Sequence, residues 1–197
     1  LVDTLPAEAF AQAHVAGSLN IPPNSFATWG GWLIDYDRPL YFICDPRQAD
    51  ELQRLAQKMG MDQLVGYFDA NAIAEAGKRT ESYARTTPDQ IRERIEAGDV
   101  RLIDVRSDAE WQAGHIPQAE HHFLGKLPET VRDVVGDKPI VAQCQLGARS
   151  AIAASVLQAM GAEVVDLLGG FQGWQAAGLP VTTADQTCSP NATTCRT

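Results

Sequence analysis

The chain repeats itself, and that repeat restricts its fold more than any single motif does. LVDTLPAEAFAQAHVAGSLNIP at residues 1 to 22 resembles LIDVRSDAEWQAGHIPQAEHHF at 102 to 123, and each copy sets an aspartate 11 residues before a histidine, Asp3 with His14 and Asp104 with His115. RPLYFICDPRQADELQRLAQKMG at 38 to 60 then matches KPIVAQCQLGARSAIAASVLQAMG at 138 to 161, so that Cys44 faces Cys144. One residue is absent from the first copy in this stretch; beyond it Gly60 faces Gly161 and Gly77 faces Gly178, an offset of 101. A repeat of about a hundred residues is the length of a whole domain. A chain of 197 residues with 45% hydrophobic content can fill two such cores. The sequence therefore predicts one domain over 1–79, a second over 80–186 and a flexible tail at 187–197.

Within the second copy, strand-like and helix-like patterns alternate. DQIRERIEAG reads as a helix, VRLIDV as a strand, DAEWQAG as a short helix, PIVAQC as a strand, SAIAASVLQAMG as a helix ending at Gly161, and AEVVDLLGG as a strand closed by a glycine pair. Ile152, Val156 and Met160 recur every four residues and predict one buried face on an amphipathic helix. The alternation predicts an α/β fold of two domains, each a mainly parallel sheet with helices on both faces. In such sheets ligands bind beyond the carboxyl ends of the strands. Cys144 falls at one of those ends.

Charge narrows the function classes. A net charge of -9 and a pI near 4.8, with no basic stripe, argue against a nucleic-acid partner. No apolar run approaches the 18 or so residues of a membrane span, and no charged stretch followed by an apolar one opens the chain. A soluble, cytoplasmic protein with no membrane partner is expected. Four cysteines, Cys44, Cys144, Cys188 and Cys195, are too few for a disulfide scaffold, so each is weighed as a reactive group or a small core residue.

The turn Gln145-Leu146-Gly147-Ala148-Arg149 lies between the predicted strand end and the next helix. Its backbone N–H groups can point at the Cys144 sulfur, and the helix N-terminus adds partial positive charge at the same spot. A thiol attacks as its anion, so such surroundings suit a nucleophile. Gly147 permits the loop to curl, and Arg149 offers a fixed cation with paired donors for an anionic substrate. The loop reads as an anion cradle around a thiol.

CQLGARS at 144 to 150, with DVRSDAEWQAGHIP upstream and LLGGFQGWQAAGLPV downstream, resembles the rhodanese family of sulfurtransferases over most of 88 to 181. The resemblance implies that Cys144 takes a sulfane sulfur from thiosulfate or a low-molecular-weight persulfide. The resulting persulfide would be held by Gln145, Leu146, Gly147, Ala148, Arg149 and Ser150. A thiol or cyanide acceptor would then remove the sulfur, with no cofactor and no metal. Protein tyrosine phosphatases need five residues between cysteine and arginine, and here there are four, which disfavours phosphate or arsenate chemistry. The family usually carries glycine where this chain has Gln118, so that turn is expected to be remodelled.

The first copy departs further. CDPRQAD has a shorter loop without glycine, Asp45 beside the thiol to raise its pKa, and Pro46 removing an N–H. An inactive domain with Cys44 as a buried structural thiol is expected. The second copy has a helix ahead of its first strand and the first copy starts at LVD, so an upstream segment is expected. The arrangement resembles bacterial proteins in which a metallo-β-lactamase-like persulfide dioxygenase domain precedes two rhodanese domains. The alternative to catalysis is thus a non-catalytic rhodanese-fold module that positions such a domain.

Weaker candidates carry structural readings. His115 and the pair His121-His122 are read as structural or surface groups, Trp174 as core, and Asp104, Arg106 and Glu110 as a local polar network in which Arg106 and Glu110 can pair. Cys188 and Cys195 could form a disulfide or accept sulfur, and NAT at 191 to 193 is discounted as a glycosylation site for want of a secretory signal.

Overall fold

A computed structural model describes residues 1–183. Cys188, Cys195, the NAT triplet and the expected tail lie outside the described residues. The first half runs β1 (Val2–Asp3), α1 (Ala7–Gln12), β2 (Leu19–Asn20), α2 (Pro23–Leu33), β3 (Leu40–Cys44), α3 (Pro46–Lys58), β4 (Leu64–Asp69) and α4 (Ala70–Glu75). The second runs β5 (Ala84–Thr86), α5 (Pro88–Glu96), β6 (Arg101–Asp104), α6 (Asp108–Ala113), β7 (Ala119–His121), α7 (Leu127–Val134), β8 (Ile140–Gln143), α8 (Ala148–Ala159), β9 (Val164–Leu167) and α9 (Gly170–Ala176). The strand orders are β2-β1-β3-β4 and β5-β9-β8-β6-β7, and every pairing within them is parallel. This is the expected α/β architecture of parallel sheets flanked by helices, laid out twice.

The shared 11-residue spacing has a physical origin. Asp3 ends β1 and accepts the Leu5 amide at 2.9 Å; Asp104 ends β6 and accepts the Arg106 amide at 3.0 Å. Each carboxylate thereby turns the chain into a short helix. At the far end of that helix His14 Nδ1 meets the Phe10 carbonyl at 2.8 Å, and His115 Nδ1 meets that of Trp111 at 3.0 Å. Both histidines are buried, and the His115 ring stacks on Trp111 at 3.6 Å between centroids. They pin helix ends in both copies, as the structural reading expects.

The expected remodelling at Gln118 is also visible. Its repeat partner Gly17 sits at φ +72°, whereas no non-glycine among the described residues has a positive φ. Pro117 and Gln118 therefore turn without the left-handed conformation that glycine allows.

One element corrects the sequence reading. Helix α8 is not amphipathic about a single buried face: all eight residues from Ser150 to Leu157 are buried, while Met160, expected on that face, is 52% exposed just beyond the helix end. The cause is the first domain. Ile152, Val156 and Leu157 belong to one core cluster with Phe10, Ile21, Phe26 and Phe42, so the two domains share a hydrophobic core. Ser155 Oγ accepts the Asn20 amide at 2.9 Å across this junction. A second cluster, containing Ile91, Ile95, Val141, Phe171 and Trp174, lies wholly in the second half. Trp174 is core as expected, with its indole N–H donating to the Pro180 carbonyl at 2.8 Å.

Candidate active site

Cys144 follows β8 directly and is buried. The loop after it is fixed from behind by α9: the Phe171 amide donates to the Cys144 carbonyl at 2.7 Å and the Gln172 amide to the Gln145 carbonyl at 3.1 Å. A trans peptide carries its C=O and N–H on opposite edges, so the Gln145 and Leu146 amides are turned away from α9. Gly147, at φ +107° and capping α8, donates its N–H to Cys144 Sγ at 3.1 Å. Among the described residues this is the loop amide that meets hydrogen-bond geometry with the sulfur.

Close approach of α9 depends on Gly170. A Cβ there would lie 2.2 Å from the Cys144 carbonyl oxygen and 3.0 Å from the Gln145 carbonyl carbon, and φ is +53°. Backbone cannot yield as a flexible side chain can, so any larger residue must push the thiol loop. The glycine pair, read from sequence as a strand terminator, is thus the seat of the loop.

The predicted binding residues fall into distinct surroundings. Leu146 is 65% exposed at the rim, and Ala148 is exposed too. Arg149 makes a bidentate pair with Glu110, Nη1 to Oε2 at 2.7 Å and Nη2 to Oε1 at 2.6 Å. Its guanidinium is therefore already held by a carboxylate, and it holds Glu110 well below the usual carboxylate range, at about 2. Ser150 is buried, its hydroxyl shared between Asp166 Oδ1 at 2.6 Å and the Gly147 carbonyl at 3.1 Å, so it braces the loop from inside. Burial pushes the Asp166 carboxyl up, and Arg85 on β5 sits 3.4 Å away.

The expected Arg106–Glu110 pair does not form. Arg106 is buried and clamps Asp104 through Nε and Nη2, donates to the Gly114 carbonyl at 2.7 Å and to Gln145 Oε1 at 3.1 Å, and lies over the Phe171 ring at 4.1 Å. Glu110 turns instead to Arg149 and closes a capping box with Ser107 on α6. Four-residue spacing permits a pair only on a continuous helix, and Arg106 lies before α6 begins. The polar network is real, but it grips the loop through two arginines, a role that no local spacing disclosed. His121 Nε2 meets the Arg106 carbonyl at 2.8 Å, with its ring near Trp111 at 5.0 Å, a structural place as expected.

The first copy has no cradle. Helix α3 starts at Pro46, one residue after Asp45, whose carboxylate accepts the Arg47 amide at 2.9 Å and pairs with the Arg47 guanidinium. The anion-binding amides of that helix end are thus taken by the chain's own carboxylate. Burial first, then Asp45, Asp69 and Asp3, push the Cys44 thiol up to about 11. Cys44 is buried and neutral, the structural thiol that its surroundings predict.

Residues 1–70 and 87–177 match the family model of the Rhodanese-like domain. The chain is 37% identical over 91 residues to the putative sulfurtransferase YtwF of Bacillus subtilis, covering 46% of this chain and 88% of that protein. It is 32% identical over 105 residues to the thiosulfate sulfurtransferase GlpE of Actinobacillus succinogenes, covering 52% and 94%. It is also 40% identical over 180 residues to the HTH-type transcriptional regulator Rv0324 of Mycobacterium tuberculosis, covering 88% and 77%.

Proposed function

The chain belongs to the rhodanese-like domain family, and from that premise we propose that it is a sulfurtransferase working through Cys144. The Cys144 thiolate attacks the sulfane sulfur of thiosulfate or a small persulfide; the donor's S–S bond breaks, sulfite or a thiolate leaves, and Cys144 carries a persulfide. An acceptor thiolate or cyanide then attacks the outer sulfur and releases the Cys144 thiolate, so no external oxidant or reductant is consumed. The observation that carries this reading is the Gly147 N–H aimed at the sulfur, in a loop whose carbonyls are tied back to α9. The Gly147 amide supplies a donor for an anionic sulfur, and Arg149, held by Glu110, supplies oriented charge from the same loop.

Thiocyanate formation from thiosulfate and cyanide tests it. Cys144→Ser should abolish turnover, and the wild-type chain treated with donor alone should gain about 32 mass units at Cys144, one added sulfur atom. Unchanged turnover in the variant discards the proposal. The identity with a transcriptional regulator favours a second reading, a rhodanese-fold module serving regulation. Under it the wild type would produce no thiocyanate or thiol persulfide from any sulfane donor.

A further inference from the structure

Behind the Cys144 loop lies a buried carboxyl that the sulfur-transfer steps do not use. Asp166 is on β9, 1% exposed, and directly opposite Arg85 of β5 in the pairing register. Its two oxygens have different partners: Oδ2 receives Arg85 Nε at 3.4 Å, and Oδ1 meets Ser150 Oγ at 2.6 Å. Ser150 Oγ in turn stands 3.1 Å from the Gly147 carbonyl. A hydroxyl has one proton to give and two lone pairs to receive. Burial raises the Asp166 carboxyl and so favours a proton on it. With that proton on Oδ1 every contact is a hydrogen bond: Arg85 donates to Asp166, Asp166 to Ser150, and Ser150 to Gly147.

The chain of contacts ends on the residue that most needs holding. Gly147 sits at φ +107°, and a glycine is poorly fixed by its own backbone. Its N–H meets Cys144 Sγ at 3.1 Å, so a group that fixes its carbonyl also steadies that donor. The first copy supplies a contrast. Ala49 stands 101 residues before Ser150, and Tyr67 pairs with Phe42 as Asp166 pairs with Ala142. Ala49 and Tyr67 line one small cavity, so the same two places adjoin there without a hydroxyl-to-carboxyl contact, in the copy whose cysteine is followed directly by a helix. We propose that Asp166 is a positioning residue for sulfur transfer, acting through Ser150 to hold Gly147 where its amide meets the Cys144 thiolate. The inference rests on Cys144 being the nucleophile, and it assigns Asp166 no contact with the transferred sulfur.

Alkylation of Cys144 by iodoacetamide across pH, followed by peptide mass, reads the thiol itself and needs no sulfur transfer. Asp166→Asn can donate to Ser150 through Nδ2 and accept from Arg85 through Oδ1, so its profile should stay near that of the wild type. Asp166→Leu, equally uncharged, can do neither. It should move the alkylation midpoint upward and slow the reaction at pH 7 about tenfold, as expected when an amide no longer meets a thiolate. Ser150→Ala should do the same, and the double variant Ser150→Ala/Asp166→Leu should be no slower than Asp166→Leu alone. Matching profiles for Asp166→Asn and Asp166→Leu, or a wild-type profile for Ser150→Ala, overturn the proposal. Should Asp166→Leu fail to fold, Ser150→Ala against the wild type decides it. Shifted profiles in a chain that forms no thiocyanate would uphold the brace and discard sulfur transfer instead.

Discussion

The two cysteines show how strongly neighbours decide what a side chain can do. Cys44 ends β3 and Cys144 directly follows β8, and each is buried, yet one meets the Gly147 amide and the other lies under the charge of three carboxylates. Gly170 decides where the first of these neighbours sits. Gly170→Ala should displace the Cys144 loop and lower kcat/KM for sulfur transfer by about 100-fold, the usual consequence of a shift near 1 Å at a reacting group. A variant with wild-type kinetics would show that the loop does not rest on α9. Glu110 offers a test by pH. Its folded-state pKa, about 2 against an ordinary 4.5, is depressed, so the Arg149 pair contributes stability above about 4.5 that is lost as pH falls towards 2. Glu110→Gln has no such contribution to lose. Urea midpoints of wild type and variant should therefore differ at pH 7 and converge between pH 4.5 and 2; a constant gap would refute the assignment.

Helix α8 carries more of the architecture than its length suggests. It opens at the thiol loop, packs on β8 and β9 of its own sheet, and lies against β2 and α1 of the first domain. Serine and alanine on its surface allow that double contact: Ala151, Ala153 and Ala154 bring backbones close, and Ser155 receives the Asn20 amide. Leu157 is completely buried in the core common to both domains. Leu157→Ala should cost about 2–5 kcal/mol in chemical denaturation. Its transition should stay single if the core is one unit, whereas two separated transitions would mean that the domains fold independently.

Across the whole molecule, the two sheets share an order but not an edge. Strand β9 is covered by β5, whereas β4 is the last strand of its sheet and leaves Val65, Tyr67 and Phe68 exposed. The shared core seals the first domain against α8 of the second, whatever the fate of its own thiol. A fragment of residues 80–183 should expose the apolar surface of α8 that Phe10, Ile21 and Phe26 cover. It should bind a hydrophobic dye and melt well below the intact chain. A fragment as stable as the whole would show that the junction contributes nothing. Among the described residues no helix is long and apolar enough to cross a membrane.

Duplication, the alternating elements and the position of Cys144 at a strand end were all legible in the sequence, because each rests on local periodicity or on comparing the chain with itself. The want of an amide cradle after Cys44 was legible too, since Asp45 and Pro46 act on their immediate neighbours. Contacts between distant segments were not. Glu110 reaches Arg149 across 39 residues of chain, Asn20 reaches Ser155 across 135, and Met160 leaves the core because the first domain covers a different part of α8. A helix pattern records which residues are apolar but not how many bodies will pack around them, and only the folded chain decides that.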